Sequence, residues 1–367
     1  MVKKYNFGKL VFSLEGKDKV LIHLQEELTS IESTSGKEQK IRFIFGDVPK
    51  DLDNGVFASP VISDGKSFLY EGQGFKYQVI KEENGNFKIL IKSDTLRKKY
   101  RYLPKYSRFK DWNFLLPSEQ LAKNFMYDVF DYITQIKNVE VGQSYMHASS
   151  FQKEDKTIAI VAWGGIGKTT AMLKLVGEQG WKFLSDDLGL IDTEGNLYRS
   201  PKKMQIYAYN LEGQPRLKEL LTKGRGLLDR INWNYRKKYK GIKKVRRRVS
   251  AETLFGDDLV SKTAPLTHVF FIERVNNSEF SQRQLSVEEL SQRAANTVMS
   301  EIDPYHKIIV ALCTAQNDSI LPEYSSLYQS TKSILSKAFS NINPILIRIP
   351  LHAGPNELVG YLNKIIE

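Results

Sequence analysis

Residues 157–169 read TIAIVAWGGIGKT, an apolar run that empties into Gly164, Gly165 and Gly167 and then Lys168-Thr169. A β-strand feeding a glycine turn on which a helix opens is among the few local patterns that commit a chain to an α/β architecture. The match to GxxxxGK[ST] is complete except that Ala162 stands at the first glycine. Glycines let the backbone turn so that N–H groups point inward at an anion, with Ile166 carried inside the turn. Lys168 supplies a point charge to terminal phosphates, the Thr169 hydroxyl suits Mg²⁺, and Thr170 follows on the helix. That helix, expected from Thr169 to Glu178 and stopped by Gly180, adds its dipole. The pattern points to nucleotide binding; the competing reading is a glycine-rich turn that binds nothing.

Asp186 and Asp187 lie 18 and 19 residues after Lys168, in KFLSDDLGLI. Read as one strand, this segment sends the two carboxylates to opposite faces, so they would take different roles. An apolar strand has no structural use for two acids, and burying them unpaired is costly. One is suited to a metal and the other to accepting a proton from a hydroxyl; a solvated strand end is the alternative. His147, 21 residues before Lys168 on the preceding strand, is by itself more often structural than functional.

Charge enters the argument through one segment. Residues 236–248, RKKYKGIKKVRRR, hold nine Lys and Arg and no acid; without them the net charge drops from +12 to +3. Three readings compete: a solvated face or loop, a clamp in which Arg246, Arg247 or Arg248 reaches a γ-phosphate or an acidic acceptor, and a nucleic-acid surface using Trp233, Tyr235 and Tyr239 for stacking.

The 367 residues suffice for two or three domains. The lone Cys313 excludes a disulfide framework and a cysteine-built metal site. The charged start does not read as a signal peptide, and no apolar run nears the ~20 residues of a membrane span. The expectation is a soluble, cytoplasmic protein with no membrane partner.

Along the chain, residues 1–116 show period-2 alternation and form a β-rich N-terminal domain. Its clearest piece is residues 75–94, two strands about Asn84-Gly85-Asn86. Residues 95–116 are basic and aromatic, with Pro104 and Pro117 as breakers. Leu121, Phe125, Val129 and Ile133 recur every four residues, so residues 117–138 read as a connecting helix capped by Ser118. Residues 139–367 read as the α/β domain: two strands about a KEDK turn, the glycine loop and helix, then the aspartate strand. Later elements are a THVFFIERV strand, helices from Ser286 and over YSSLYQSTKSILSKAFSNI, a PILIRIPL strand and a last helix.

Taken together, His147, the GIGKT loop and the paired aspartates resemble the HPr kinase/phosphorylase family, which shares a P-loop fold with phosphoenolpyruvate carboxykinase. Thr253-Leu254-Phe255-Gly256 is similar to the family's TLFG segment, and RIPLHAGPNELVGYLNKI to its closing strand and helix. The resemblance covers roughly residues 140–367 and implies a P-loop kinase domain of the HPr kinase/carboxykinase type behind a β-rich (α+β) N-terminal domain. By position it implies Asp186 as the base or acid of phosphoryl transfer and Lys168 on phosphate. His147 would lie near the transferred group, with Thr169 and Asp187 on the Mg²⁺ side. Two signatures depart. The family's metal-associated glutamate is missing near Ile242-Lys243-Lys244, and its closing arginines are replaced in HAGPN. The pattern is that of a divergent member, similar to stand-alone kinases acting on peptides or small molecules.

The expected activity is ATP- and Mg²⁺-dependent transfer of the γ-phosphate to a hydroxyl of a peptide, protein or small metabolite, with an acidic acceptor suited to the arginines. Alternatives are a nucleotide-binding switch with weak NTPase activity and a carboxykinase-type enzyme. Nucleic acid is the lesser partner, and a homo-oligomer is left open.

Overall fold

The computed structural model describes residues 2–33, 38–72, 74–93, 116–222, 225–315 and 320–366. The basic, aromatic stretch before Leu116, with Pro104, lies outside the described residues.

The first sheet contains β1 (Val2–Phe7), β2 (Leu10–Gly16), β3 (Ile41–Phe45), β4 (Val56–Ala58), β5 (Val61–Ser63), β6 (Ser67–Glu71), β7 (Phe75–Lys81) and β8 (Phe87–Ser93). Their order is β1-β2-β3-β8-β7-β6-β5-β4. β2 and β3 run parallel because the helix Lys19–Leu28 crosses between them. Asp18 caps that helix by accepting the Val20 N–H at 2.8 Å, and Val20, Leu21, Leu24 and Leu28 turn inward. The hairpin at β7 and β8 forms as its turn residues dictate. Gly85 takes φ 79°, and Asn84 accepts the Asn86 N–H at 3.0 Å.

The expected connecting helix runs from Pro117 to Glu140, with a π-turn over Met126–Phe130 between its two α segments. It is buried between the two sheets. Phe125 meets Phe43 on β3 edge to face and Phe130 meets it tilted, and Tyr132 donates to Tyr77 at 2.8 Å. Toward the other side, Gln135 donates to Ser144 and Thr331, both at 2.9 Å. One hydrophobic core therefore runs from Tyr5 and Phe43 through this helix to Tyr145, Leu190 and Ile302.

The second sheet is built from β9 (Gln143–Lys153), β10 (Lys156–Val161), β11 (Lys182–Ser185), β12 (Leu188–Asp192), β13 (Asn196–Tyr198), β16 (Thr263–Pro265), β17 (His268–Val275), β18 (Ser281–Gln284) and β19 (Ile345–Pro350). A separate two-stranded ribbon pairs β14 (Met204–Tyr207) with β15 (Arg246–Val249). The order is β16-β13-β12-β9-β10-β17-β19-β18, with β11 also on β9. β10, β17 and β19 run parallel at the centre. They are apolar on both faces, since the helices Lys168–Gln179 and Pro355–Ile366 pack on one side and Val287–Glu301 on the other.

The segment KFLSDDLGLI corrects the single-strand expectation. β11 pairs with residues 150–152 of β9 and β12 with residues 143–147, and Asp186-Asp187 form a bend between them. Asp187 adopts φ 69°, so strand alternation does not set where the two carboxylates point. The basic run is a loop only over residues 241–245. It begins in the helix Leu227–Lys240 and ends on β15.

Candidate active site

The glycine loop leaves the end of β10 and enters the helix Lys168–Gln179. Gly165 and Gly167 take φ 77° and 117°, conformations that a side chain disfavours, whereas Gly164 has no such requirement. Ala162, in place of the first glycine, is fully buried at the strand end, and its carbonyl faces the lysine.

Lys168 is the electrostatic centre of the cleft. Its Nζ donates to the carbonyls of Ala162 at 2.6 Å and Trp163 at 3.0 Å, and lies 3.2 Å from His147 Nε2. Burial pushes its pKa down to about 8, with Asp186, Asp187 and Glu301 opposing the shift. An ammonium only donates, so His147 Nε2 must accept and the neutral ring carries its proton on Nδ1. That assignment agrees with the His147 pKa, which burial, then the charge of Lys168, holds well below the ordinary imidazole range. Nδ1 stands 3.2 Å from Glu301 Oε1, an ion-pair distance that misses hydrogen-bond geometry.

Asp186 is held by two hydroxyls. Ser149 donates to its Oδ1 at 2.5 Å, and the Thr169 hydroxyl lies 3.0 Å from both carboxylate oxygens. Burial raises its pKa in spite of these donors. Asp187 is more open and reaches to within 3.8 Å of His147 Nε2. The loop threonine thus touches Asp186, not the Asp187 expected beside it. Among the described residues no cluster of three His, Cys, Asp or Glu side chains suits a metal. A hydroxyl beside a buried carboxylate nevertheless fits Mg²⁺, which takes one or two protein carboxylates and completes its shell with phosphate and water.

The three arginines separate. Arg246 lines the cleft, with its guanidinium 5.2 Å from the Tyr207 ring and a hydrogen bond to that hydroxyl. Arg247 points to the other face of β15, where it pairs with Asp229 and lies 4.7 Å over the Trp233 ring. Arg248 forms a buried pair with Glu27 of the N-terminal unit. Neither Arg247 nor Arg248 lines the cleft, so of the three arginines expected as candidates only Arg246 stands at it. Strand alternation splits 247 from its neighbours, and the half-buried Asp229 and the buried Glu27 engage the two side chains. Thr170 likewise accepts from Asn210 at 2.6 Å.

The cleft encloses about 370 Å³ and brings together Gly164, Gly165, Ile166, Gly167, Lys168, Thr169 and Thr170 with His147, Asp186, Asp187 and Arg246. Its far wall adds Tyr127, Lys202, Lys203, Gln205, Tyr207 and Tyr209, and its rim adds Glu301. Sequence reasoning missed these. Ser149 had a signal, since it lies two residues after His147 on one strand and so shares its face. Glu301 had none, being the last residue of an ordinary amphipathic helix.

No protein-family model matches the chain, and no curated protein matches it. Among solved structures, the HPr(Ser) kinase/phosphatase from Coxiella burnetii aligns over 61% of this chain and 96% of that one, at 13% identity and a TM-score of 0.26. A likeness that slight carries no argument. Function has to be derived from this chain's own side chains.

Proposed function

We propose that the cleft binds a nucleoside triphosphate, ATP in the first instance, and transfers its terminal phosphoryl group to a hydroxyl of a peptide, protein or small metabolite, as a divergent P-loop kinase of the HPr kinase type. One observation carries the reading. A buried ammonium, Lys168, spends its donors on two loop carbonyls and a neutral histidine in the same cleft as a buried carboxylate. Among the described residues no carboxylate bonds that ammonium directly, which makes its burial costly, and a polyphosphate seated on the loop would supply the direct anionic partner.

Phosphoryl transfer depends on positioning and charge neutralisation. The loop N–H groups and the dipole of the helix Lys168–Gln179 hold phosphate oxygens, and Lys168 turns from the carbonyls of Ala162 and Trp163 onto them. Thr169 and Asp186, already in contact, would hold Mg²⁺, which when bound neutralises charge on the phosphates. Asp187 faces the open side beside His147 and takes the acceptor's proton. This exchanges the two aspartate roles expected from the family resemblance, and the contact between Thr169 and Asp186 is what supports the exchange. Arg246 offsets charge that builds on the transferred group.

The test is γ-labelled ATP incubated with the protein and a fractionated cell extract. Label should pass to a hydroxyl-bearing fraction with wild type and not with Lys168→Ala. ATP affinity unchanged by Lys168→Ala in a folded protein would end the reading.

A further inference from the structure

The helix Leu227–Lys240 has two characters. Asn232, Trp233 and Arg236 are buried, and Trp233 packs with Ala208 and Val245. Turned away from them are Leu228, Ile231, Tyr235 and Tyr239, exposed at 74%, 54%, 59% and 62%. Their spacing of three, four and four residues makes a continuous seam of about three turns, roughly 16 Å long. The rings of Tyr235 and Tyr239 lie 4.3 Å apart and extend it. Of the thirteen large hydrophobic side chains that stand exposed among the described residues, six fall between Leu227 and Ile242. Such clustering marks an interaction surface.

The charge around the seam restricts what can cover it. Asp229 is the helix's one acid, and it is engaged by Arg247. Lys238 on the helix and Lys243 and Lys244 in the turn after it enter no ion pair among the described residues. A second copy of the same seam would set lysines against lysines. A nucleic-acid backbone would use the lysines and leave the Leu228 and Ile231 end without a counterpart. We infer that this face docks an acidic amphipathic helix of a partner protein, apolar along one stripe and glutamate- or aspartate-rich beside it. The helix backs onto the ribbon that walls the cleft: Trp233 packs on Ala208 and under Arg247, while Tyr207 and Arg246 of the same ribbon line the cleft. A docked partner would therefore sit behind that ribbon, and the docking does not rest on the phosphotransfer reading.

The probe is a labelled synthetic helix of about five turns with leucine along the seam and glutamate beside it, compared with the same peptide carrying lysine beside the seam. Binding to the full chain is read by fluorescence anisotropy. The glutamate peptide should bind about tenfold more tightly than the lysine peptide. Leu228→Ser with Ile231→Ser and Tyr235→Ser should weaken it by about tenfold or more. Lys238, Lys243 and Lys244 changed together to Gln should flatten its salt dependence. Circular dichroism checks folding, and if the seam variant is unfolded the lysine variant and Tyr235→Ala carry the test. Equal binding of the two peptides, or binding unaffected by these changes, overturns the inference. So does tighter binding to phosphatidylserine vesicles or to a single-stranded oligonucleotide than to the glutamate peptide. Lys168→Ala should leave peptide binding intact, so a failed kinase reading and a failed docking surface give different results.

Discussion

Raising the pH from 7 to 9 should weaken ATP binding, and Lys168 sets the size of the effect. In the free protein its pKa is pushed down to about 8. A bound polyphosphate favours the ammonium and keeps it charged. The sign follows from linkage: the complex holds a proton that the free protein loses above pH 8, so binding takes up a proton there and affinity falls as pH rises. The dissociation constant should change little up to pH 7.5 and rise about tenfold by pH 9, or ~1.4 kcal/mol per unit once the lysine is neutral. The nucleotide's own last phosphate proton titrates near pH ~6 and stays outside this window. His147 does too, because burial and Lys168 hold its pKa down. Calorimetry in two buffers of different ionisation enthalpy should count about half a proton taken up at pH 8. Lys168→Arg keeps a permanent charge and should remove the dependence. An affinity flat from pH 7 to 9 in wild type, or an unchanged slope in Lys168→Arg, would refute the reasoning.

Other outcomes follow from the same geometry. Asp186→Asn should leave metal-free nucleotide binding near wild type while raising the Mg²⁺ concentration needed for half-maximal transfer by about tenfold or more; an unaltered Mg²⁺ titration would remove Asp186 from the metal side. Glu301→Gln removes a charge that faces His147 Nδ1, 3.2 Å away, and that favours the charged form of Lys168, so the fall in ATP affinity should begin at lower pH than in wild type; an unaltered pH dependence would leave Glu301 a bystander. Arg246→Ala should reduce transfer with little loss of stability, whereas Arg248→Ala strands Glu27 in a buried pair and should cost about 3–5 kcal/mol in chemical denaturation. Glu27→Leu with Arg248→Met should be far milder, and equal destabilisation by both routes would contradict the buried-pair account.

Elements whose shape depends on local chemistry were legible in the residues. The hairpin at Asn84-Gly85-Asn86 forms because glycine and asparagine tolerate the turn's dihedrals. The helix from Ser286 starts where a serine accepts the Glu289 N–H, and strand, glycine turn and helix follow one another from Lys156 to Gln179. Each of these decisions is made within a few residues. The helices Lys19–Leu28, Pro215–Thr222, Leu227–Lys240 and Asp303–Ala315 went unread. Their patterns gain meaning only from the surfaces they pack on.

The site was half legible for the same reason. Spacing brought His147, Lys168, Thr169 and the aspartates into one argument, because neighbouring strands of one sheet return the chain to the same edge. Tertiary structure decided which partners each side chain meets. β9 pairs first with β12 and then with β11, and that division bends Asp186-Asp187 and turns Asp186 onto Thr169. Carboxylates on other elements, the half-buried Asp229 and the buried Glu27, hold Arg247 and Arg248 and leave Arg246 to the cleft. Glu301 arrives from a helix that begins 140 residues after His147. Residue type and spacing state which chemistry a chain can carry. Long-range packing decides which of those groups meet, because burying a charge requires a partner and only the folded chain determines where that partner stands.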